Sequence, residues 1–300
     1  MSQAYDDAGE GAVFVGFWVD HGRGNILGAT LTLGFLGRKI LRLILERNIQ
    51  VTVTCIVRGR NPHHSRQRLI DTLRPTAWWN SCFQERVEVW AGDLAEPRVG
   101  LDGSKWQSVF GLGGQPRQVD VIIHNGASVN WLEPYDALRS TNVSRIYHFV
   151  EGILRSTNPP RLFYVSGGYL SGAEEANDEL VEKIYRLPAY DQTKFLSEAL
   201  VKRAQLIGTS ASDQMLIFKS GFIIGSTGDG RTQTGDALWR MVKACIQAGS
   251  YSQDDAQKWI PVAGVDSVAS MLVDQVLLTR SSSAKGRFQK VLDGIYFQKR

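Results

Sequence analysis

The stretch Asn25-Ile26-Leu27-Gly28-Ala29-Thr30-Leu31-Thr32-Leu33-Gly34-Phe35-Leu36-Gly37 decides the fold class of this chain. It leads from an apolar segment through glycines into an amphipathic helical pattern. Glycines at a strand-to-helix turn let the backbone approach a pyrophosphate, whose charge is favoured at the helix N-terminus. The usual spacing would need a glycine at Leu31 as well, so the turn is expanded by about three residues. A tight structural turn is the alternative interpretation.

Strand and helix patterns alternate along the rest of the chain. Strands are predicted at residues 51–57, 87–90, 119–124, 161–165 and 215–218, and helices at 65–74, 135–155 and 190–207. Several strands are apolar on both faces, which indicates a parallel sheet that helices cover on both sides. We therefore predict an α/β fold with a Rossmann-type doubly wound parallel sheet.

Composition excludes several classes of protein. Of the 300 residues, 43% are hydrophobic and 21% charged, as in ordinary globular proteins, and a net charge of +4 is too small to indicate a nucleic-acid surface. The three cysteines, Cys55, Cys82 and Cys245, lie far apart, so we expect no metal site and a reducing compartment. No apolar run reaches the roughly 18 residues of a membrane span. We therefore expect a cytoplasmic protein with no nucleic-acid or membrane partner.

Tyr190 and Lys194 are the candidate catalytic pair. They lie in Ala189-Tyr190-Asp191-Gln192-Thr193-Lys194-Phe195, within a helical pattern whose apolar positions exclude Glu198. Four residues make about one helical turn, so both side chains lie on one face. A nearby cation favours phenolate, and we expect Lys194 to lower the pKa of Tyr190 so that the phenol serves as a general acid. Any helix can carry such a pair by chance, so its position after a parallel-sheet pattern is what gives it weight.

Polar residues and glycines recur where the predicted strands end, which is where ligands bind in parallel sheets. Arg58 and Arg60 suit a ribose phosphate, and Arg68 could add a contact. A solvated loop is the alternative for this segment. Asp93 suits an adenine amino group, or else it forms a turn. The other strand-end residues are Gly28, Asn125, Gly126, Ser166 and Gly221.

Two further polar residues are catalytic candidates. Ser166 ends the strand that precedes the Tyr190 helix, so its hydroxyl could hold a carbonyl oxygen beside the phenol. Asn142 lies on the helix before that strand. Its alternative role is a polar position on a helix packed against the sheet.

These segments together resemble the extended short-chain dehydrogenase/reductase superfamily. Within it they are most similar to the thioester reductase domains of nonribosomal peptide synthetases, polyketide synthases and carboxylic acid reductases, enzymes of secondary metabolism. The resemblance covers about residues 25–290. It is carried by Gly34-Phe35-Leu36-Gly37-Arg38, Cys55-Ile56-Val57-Arg58-Gly59-Arg60, Arg86-Val87-Glu88-Val89-Trp90-Ala91-Gly92-Asp93-Leu94, Val121-Ile122-Ile123-His124-Asn125-Gly126-Ala127, Ser140-Thr141-Asn142-Val143, Phe163-Tyr164-Val165-Ser166, Tyr190 to Lys194, and Trp259-Ile260-Pro261-Val262.

The resemblance implies NADPH-dependent reduction of a carrier-bound acyl or peptidyl thioester to an aldehyde, with an alcohol as the product of a second reduction. The partner would be an acyl- or peptidyl-carrier protein with a phosphopantetheine thioester, or else a small carbonyl substrate. Tyr190 would be the general acid, and Lys194 would bind the nicotinamide ribose. The implied NADPH-binding residues are Gly28, Thr30, Gly34, Phe35, Leu36, Gly37, Arg58, Arg60, Arg68, Asp93, Leu94, Asn125, Gly126, Ala127, Lys194, Gly221 and Phe222.

We accordingly expect three regions. Residues 25–219 would form the NADP(H)-binding Rossmann domain, and residues 220–300, interleaved with 167–189, a small, shortened C-terminal substrate-binding subdomain. Residues 1–24 would be an N-terminal extension. Within it, the apolar run Val13-Phe14-Val15-Gly16-Phe17-Trp18-Val19 is an extra strand, a displaced first strand or a poorly ordered segment. Candidates for an apolar acyl tunnel are Trp131, Trp239 and Trp259, although each suits a core position equally.

The chain departs from the resembling domains at several positions. Gly167 stands where they carry a catalytic threonine, so Ser166 or Ser171 would supply the hydroxyl, or Tyr190 would act alone. Lys219-Ser220-Gly221 replaces their Arg-Pro-Gly, the glycine turn is expanded, and the chain stops at Arg300. Two alternatives therefore stay open. One is a reductase of free aldehydes or ketones, and the other is a catalytically inactive NADP(H)-sensing protein.

Overall fold

The computed structural model describes residues 12–16, 34–48, 51–116, 119–167, 178–250 and 262–281. At its centre six parallel strands form one sheet in the order β3-β2-β1-β4-β5-β6. This order reverses at β1, as in a doubly wound Rossmann sheet, and confirms the predicted fold class. The strands are β1 (Ala12–Gly16), β2 (Thr52–Val57), β3 (Val87–Ala91), β4 (Val121–His124), β5 (Arg161–Ser166) and β6 (Met215–Lys219).

The strand β1 lies between β2 and β4. Val13 pairs with Val53 on one side and with Val121 on the other. The apolar, β-branched run from residue 12 suits a central parallel strand. The sheet therefore begins at residue 12, which differs from the predicted start of the Rossmann domain at residue 25. The apolar segment 25–27 lies outside the described residues.

Nine helices are described along the chain. The predicted helices at 65–74, 135–155 and 190–207 correspond to α2 (Pro62–Leu73), α5 (Tyr135–Arg155) and α7 (Ala189–Gln205). The first of these begins earlier because the Asn61 side chain accepts a hydrogen bond from His64 N and Pro62 suits a first helical turn. No helix within the described ranges is long and apolar enough to cross a membrane. The helices are α1 (Phe35–Arg47), α2 (Pro62–Leu73), α3 (Ser81–Glu85), α4 (Gly103–Phe110), α5 (Tyr135–Arg155), α6 (Asp178–Tyr185), α7 (Ala189–Gln205), α8 (Ala237–Ala248) and α9 (Val265–Ser281).

Alternate strand residues face two different helical layers. Val53 and Val121 lie in a buried cluster with side chains of α1, α2 and α9. Ile56 and Ile122 lie in a second cluster with side chains of α4, α5 and α7. Side chains of a strand alternate between the two faces of a sheet, so each layer receives every second residue.

The helix α9 packs in the first of these layers, although it comes last in the described chain. Leu272 and Val276 are buried in the same cluster as Ile44 of α1. An ion pair of 2.6 Å between Arg47 and Asp274 also joins the two helices. Residues 265–281 thus cover the Rossmann sheet, which differs from the predicted assignment of all of 220–300 to a substrate-binding subdomain. The reason is that apolar side chains of α9 and α1 are buried against each other in one cluster.

A second, two-stranded parallel sheet follows the Rossmann sheet. It pairs β7 (Phe222–Ile223) with β8 (Val262–Ala263). Gly221 makes the turn out of β6 with a φ of 63°, a left-handed conformation that favours glycine. This small sheet therefore starts directly at the carboxyl end of β6.

The packing of α9 on α1 predicts the effect of one truncation. Leu272→Ala should lower the free energy of unfolding by about 2–5 kcal/mol, because it opens a cavity in a fully buried site. The measurement is urea unfolding followed by circular dichroism. Leu206→Ala is the control and should change the stability by less than about 0.5 kcal/mol, since Leu206 is 84% exposed. Equal effects of the two changes would contradict the packing of α9 on the sheet.

Candidate active site

The helix α7 carries Tyr190 in its first turn and Lys194 one turn later. The Lys194 side chain is only 5% exposed, and its Nζ donates a 3.2 Å hydrogen bond to the carbonyl oxygen of Val165 near the end of β5. The same ammonium lies 5.1 Å from the centre of the Tyr164 ring and 5.9 Å from that of Tyr190. The predicted catalytic pair therefore lies at the carboxyl edge of the sheet, beside β5.

The protonation of this pair differs from the sequence-based expectation. Burial lowers the pKa of Lys194 to about 8, and the Glu198 carboxylate partly opposes this shift. Burial also raises the pKa of the partly buried Tyr190 phenol above its ordinary value, and Tyr164, Asp191 and Asp236 add to that rise. We expected Lys194 to lower this pKa, whereas burial and the neighbouring acidic groups raise it. The Tyr190 phenol is therefore neutral and able to donate a hydrogen bond near pH 7.

Trp131 lies against the candidate acid. Its ring centre is 5.4 Å from that of Tyr190, at an interplanar angle of 48°. The indole Nε1 is buried without a hydrogen-bond partner among the described residues. Trp239, in contrast, donates a 2.9 Å hydrogen bond from its indole to Ile224 O, and Trp259 lies outside the described residues. Of the two tunnel candidates that the structure describes, Trp131 packs against the Tyr190 ring.

Ser166 is bound to a carboxylate that the sequence analysis did not include. The Ser166 side chain is 2% exposed, and its Oγ donates a 2.7 Å hydrogen bond to Glu198 Oε1. A hydroxyl has a single hydrogen to donate, so a substrate oxygen would have to displace Glu198 to receive it. The predicted oxyanion role of Ser166 remains a prediction, and the alternative residue Ser171 lies outside the described segments. A Cβ at Gly167 would meet no described atom within 4 Å.

Asn142 orders the loop after β4. Its Oδ1 accepts a 2.8 Å hydrogen bond from Ser128 N, and its Nδ2 donates to Ser128 O at 3.1 Å and to Thr193 Oγ1 at 3.0 Å. Thr193 in turn donates to Tyr190 O at 2.7 Å. Asn142 thus connects the loop to the first turn of α7, and its catalytic role stays a prediction.

The loop that Asn142 holds contains three predicted cofactor residues. Asn125, Gly126 and Ala127 directly follow β4 at the carboxyl edge of the sheet. Gly221 and Phe222 follow β6 at the same edge. The structure therefore brings these residues to the edge that also carries Tyr190 and Lys194.

The described part of the glycine turn is the N-terminus of α1. Gly34 is the N-cap of the helix, and a Cβ at this position would meet no described atom within 4 Å. Phe35 opens the helix, whereas Leu36 and Gly37 are buried against the sheet. The first amide groups of a helix have no partner within it, so they can receive a phosphate. Gly28 and Thr30 lie outside the described residues.

The end of β2 carries a cluster of arginines, and Arg58 among them forms an ion pair with Asp93. Arg58 Nε lies 2.7 Å from Asp93 Oδ2, and Arg68 donates a hydrogen bond to Arg58 O. Asp93 Oδ1 also accepts from Ala95 N at 2.8 Å, as a turn-forming aspartate does. Arg60 is exposed, and the Leu94 side chain is buried in the second core cluster. The structure thus joins the predicted phosphate ligand Arg58 to the predicted adenine ligand Asp93.

Sequence reasoning missed Glu198 and Lys219. Glu198 was placed outside the apolar face of its helix, yet it is 1% exposed and lies 3.0 Å from Lys219 Nζ. The spacing of four residues from Tyr190 to Lys194 continues to Glu198, and this signal would have placed all three on one helical face. Lys219 was noted only as a departure from a family pattern.

The lowered pKa of Lys194 predicts a pH dependence of stability. Between pH 8 and about 10.4 the unfolded state binds more protons at this lysine than the folded state, so its contribution to stability rises with pH. The free energy of unfolding of the native protein, minus that of Lys194→Met, should increase by on the order of 2 kcal/mol from pH 7 to pH 10. Urea unfolding at several pH values measures this difference. A constant difference would contradict a buried, shifted Lys194.

The sequence of this chain is similar to those of a known family of domains and of several nonribosomal peptide synthetases. Residues 26–272 match the family described as Male sterility protein, a family of NAD-binding domains. A peramine synthetase from Metarhizium majus is 38% identical over 263 residues, which are 86% of this chain and 9% of that protein. Nonribosomal peptide synthetase 5 from Gibberella zeae is 37% identical over 262 residues, which are 85% of this chain and 2% of that protein. The chain therefore spans only a small part of the length of these relatives.

Among solved structures, the PhqB reductase domain from Penicillium fellutanum superposes with a TM-score of 0.67 at 28% identity. The match covers 92% of this chain and 65% of that domain. The resemblance drawn from the sequence motifs is thereby confirmed. This chain belongs to the Male sterility protein family of NAD-binding domains, among the NAD(P)-dependent reductases of the extended short-chain dehydrogenase/reductase superfamily.

Proposed function

We propose that this protein reduces a carrier-bound acyl or peptidyl thioester to an aldehyde, with NADPH as the cofactor. The observation that carries the proposal is the neutral Tyr190 phenol, which lies beside the Lys194 ammonium at the carboxyl edge of the sheet. The relatives named above include nonribosomal peptide synthetases, which supports a carrier protein with a phosphopantetheine arm as the partner. A second reduction would give the alcohol.

The residues at the carboxyl edge fit a dinucleotide. The N-terminus of α1 at Gly34, with its unpaired first amide groups, suits the pyrophosphate. Arg58 and Arg60 at the end of β2 suit a ribose 2′-phosphate, and neither position holds the acidic residue that would favour NADH. These features support NADPH over NADH. When bound, NADPH supplies the hydride.

Tyr190 and Lys194 would perform the acid chemistry. As negative charge develops on the thioester oxygen, the Tyr190 hydroxyl donates a hydrogen bond to it and stabilises it in a site with little water. Lys194 would hold the nicotinamide ribose through its ammonium. Trp131 covers the Tyr190 ring and would form part of the wall for the acyl chain. Carrier release would follow from collapse of the tetrahedral adduct.

A second candidate function is NADP(H) binding without turnover. Two observations favour it. Gly167 provides no hydroxyl at the position of the usual threonine, and the Ser166 hydroxyl is bound to Glu198. Of Ser166, Gly167 and Tyr190, Tyr190 would then be the residue whose hydroxyl is available to stabilise the oxyanion. Reduction of a free aldehyde or ketone is the third possibility, and one panel of substrates distinguishes all three.

Cofactor choice gives the first test. NADPH should bind more tightly than NADH by on the order of 10-fold, the effect of one charge-assisted phosphate contact of about 1.5–3 kcal/mol. Arg58→Ala should remove most of this preference and leave NADH affinity nearly unchanged. Fluorescence titration of both cofactors measures it. Arg155→Ala, at the exposed end of α5, is the control and should keep the native preference. Equal affinity of the native protein for both cofactors would refute the role of Arg58.

Catalysis gives the second test, measured as NADPH oxidation with a panel of acyl-pantetheine thioesters, aldehydes and ketones. Tyr190→Phe keeps the ring, so cofactor binding should persist while kcat falls by about 10²-fold or more. Lys194→Ala should lose turnover and some cofactor affinity. Tyr147→Phe removes a half-exposed hydroxyl on α5 and should leave the rate unchanged.

Ser166→Ala tests the hydroxyl beside Gly167 in the same assay. A loss similar to that of Tyr190→Phe would assign an oxyanion role to Ser166, and little effect would leave the role to Tyr190 or to Ser171. If the native protein and Tyr190→Phe both bind NADPH and are equally inactive on every substrate, the reductase proposal fails and the binding function replaces it.

A further inference from the structure

We propose that Glu198 is a positioning residue of this reductase: its buried carboxylate holds the Ser166 hydroxyl at the end of β5 and places a negative charge one helical turn from Lys194 on the same face of α7. The inference rests on the proposed function, because it assigns Glu198 to the site of Tyr190 and Lys194. Glu198 acts through these neighbours and is not proposed to touch substrate or cofactor.

The carboxylate joins three elements at the carboxyl edge of the sheet. From α7, Glu198 Oε1 accepts from Ser166 Oγ of β5 at 2.7 Å. Lys219 Nζ of β6 lies 3.0 Å from Oε1 and 3.2 Å from Oε2. One turn earlier on α7, Lys194 donates to the carbonyl oxygen of Val165, the neighbour of Ser166. Two consecutive residues of β5 are thus held by two side chains on the same face of α7.

The ion pair between Glu198 and Lys219 is buried. The Glu198 and Lys219 side chains are about 1% and 10% exposed, so each charge has little access to water. A buried charge whose partner is removed is strongly destabilising, whereas a paired one is tolerated. The pair is therefore a built feature of the site and not a solvated surface contact.

The position of Glu198 also bears on Lys194. Glu198 lies four residues after Lys194 on the same helical face, and its carboxylate opposes the effect of burial on the lysine pKa. The Tyr164 and Tyr190 phenols are neutral, and burial lowers the pKa of His124 to about 3, so that imidazole is neutral as well. Within the described residues, the titratable and charged groups that act on Lys194 or on its neighbours are Tyr190, Asp191 and Glu198 on α7, Tyr164 on β5, His124 on β4, Lys219 on β6, Arg145 on α5 and Asp236 before α8.

The test is a direct titration of Lys194 in the free protein. Lysine labelled with ¹³C at Cε reports protonation by NMR, and Lys194→Met assigns the signal. In Glu198→Gln the midpoint of Lys194 should fall by on the order of one pH unit, because the opposing charge is gone. Glu198→Asp keeps the charge and should restore most of the native midpoint. Ser166→Ala keeps the ion pair and should leave the midpoint near the native value.

Glu182→Gln is the matched control, since it removes an exposed glutamate of α6 that pairs with Arg186, the residue directly after the helix. It should leave the Lys194 midpoint unchanged. An unchanged midpoint in Glu198→Gln, or a native midpoint at the ordinary value for lysine, would overturn the proposal. The titration needs neither cofactor nor substrate, so a protein inactive on every thioester would refute the proposed function and leave this test valid.

A second variant covers the case in which Glu198→Gln does not fold. The double change Glu198→Gln and Lys219→Met removes both charges of the buried ion pair together, so neither partner is left charged without the other and the protein should fold. Its Lys194 midpoint should fall in the same direction as in the single variant, by a smaller amount, because a repelling cation is also removed. A midpoint equal to or above the native one would overturn the proposal. If the native protein is active, the alkaline limb of its kcat profile should shift with the midpoint.

Discussion

The attachment of α7 to the end of β5 is the constraint on which the candidate site depends. Lys194 donates to Val165 O, and the next residue of β5, Ser166, donates to Glu198. These contacts fix the rotation of α7 about its own axis, and so they fix the direction in which Tyr190 projects. Because the lysine is withdrawn from water, its charge depends on nearby carboxylate and carbonyl groups. The contacts that hold the helix therefore also set the chemistry of the site.

The same edge of the sheet has a second charged centre, some distance along it, at the ends of β2 and β3. There Arg58 is paired with Asp93, while Arg68 binds the backbone of Arg58. An arginine held in this way keeps one orientation, and a ligand phosphate would compete with Asp93 for its guanidinium. The two centres differ in exposure. Arg58 and Asp93 are partly open to solvent, whereas Glu198 and Lys219 are nearly enclosed. Ligand binding suits the first arrangement and structural support suits the second.

The outcome at Tyr190 illustrates how burial can reverse an argument from proximity. A cation one turn away favours the phenolate, and the sequence places Lys194 there. In the structure the phenol lies under the Trp131 ring and near two carboxylates, and its pKa rises. A neutral phenol is the form that donates a hydrogen bond, so the reversed shift remains compatible with a role as an acid. The cofactor's own charges would act on the same group when bound.

By itself the sequence determined the fold class and the edge at which the site lies. Parallel strands that are apolar on both faces, with polar residues and glycines at their ends, admit few other arrangements. The periods of two and 3.6 residues are local, so strands such as 87–90 and helices such as 135–155 could be predicted from short segments. The comparisons then confirmed the family that the motifs indicated. What could not be read locally was decided by tertiary packing. The strand at 12–16 enters the centre of the sheet, α9 returns to cover α1, and Glu198 is buried against Lys219 of the following strand. Each of these depends on a partner in another element, and the local pattern of a segment does not say which other element packs against it.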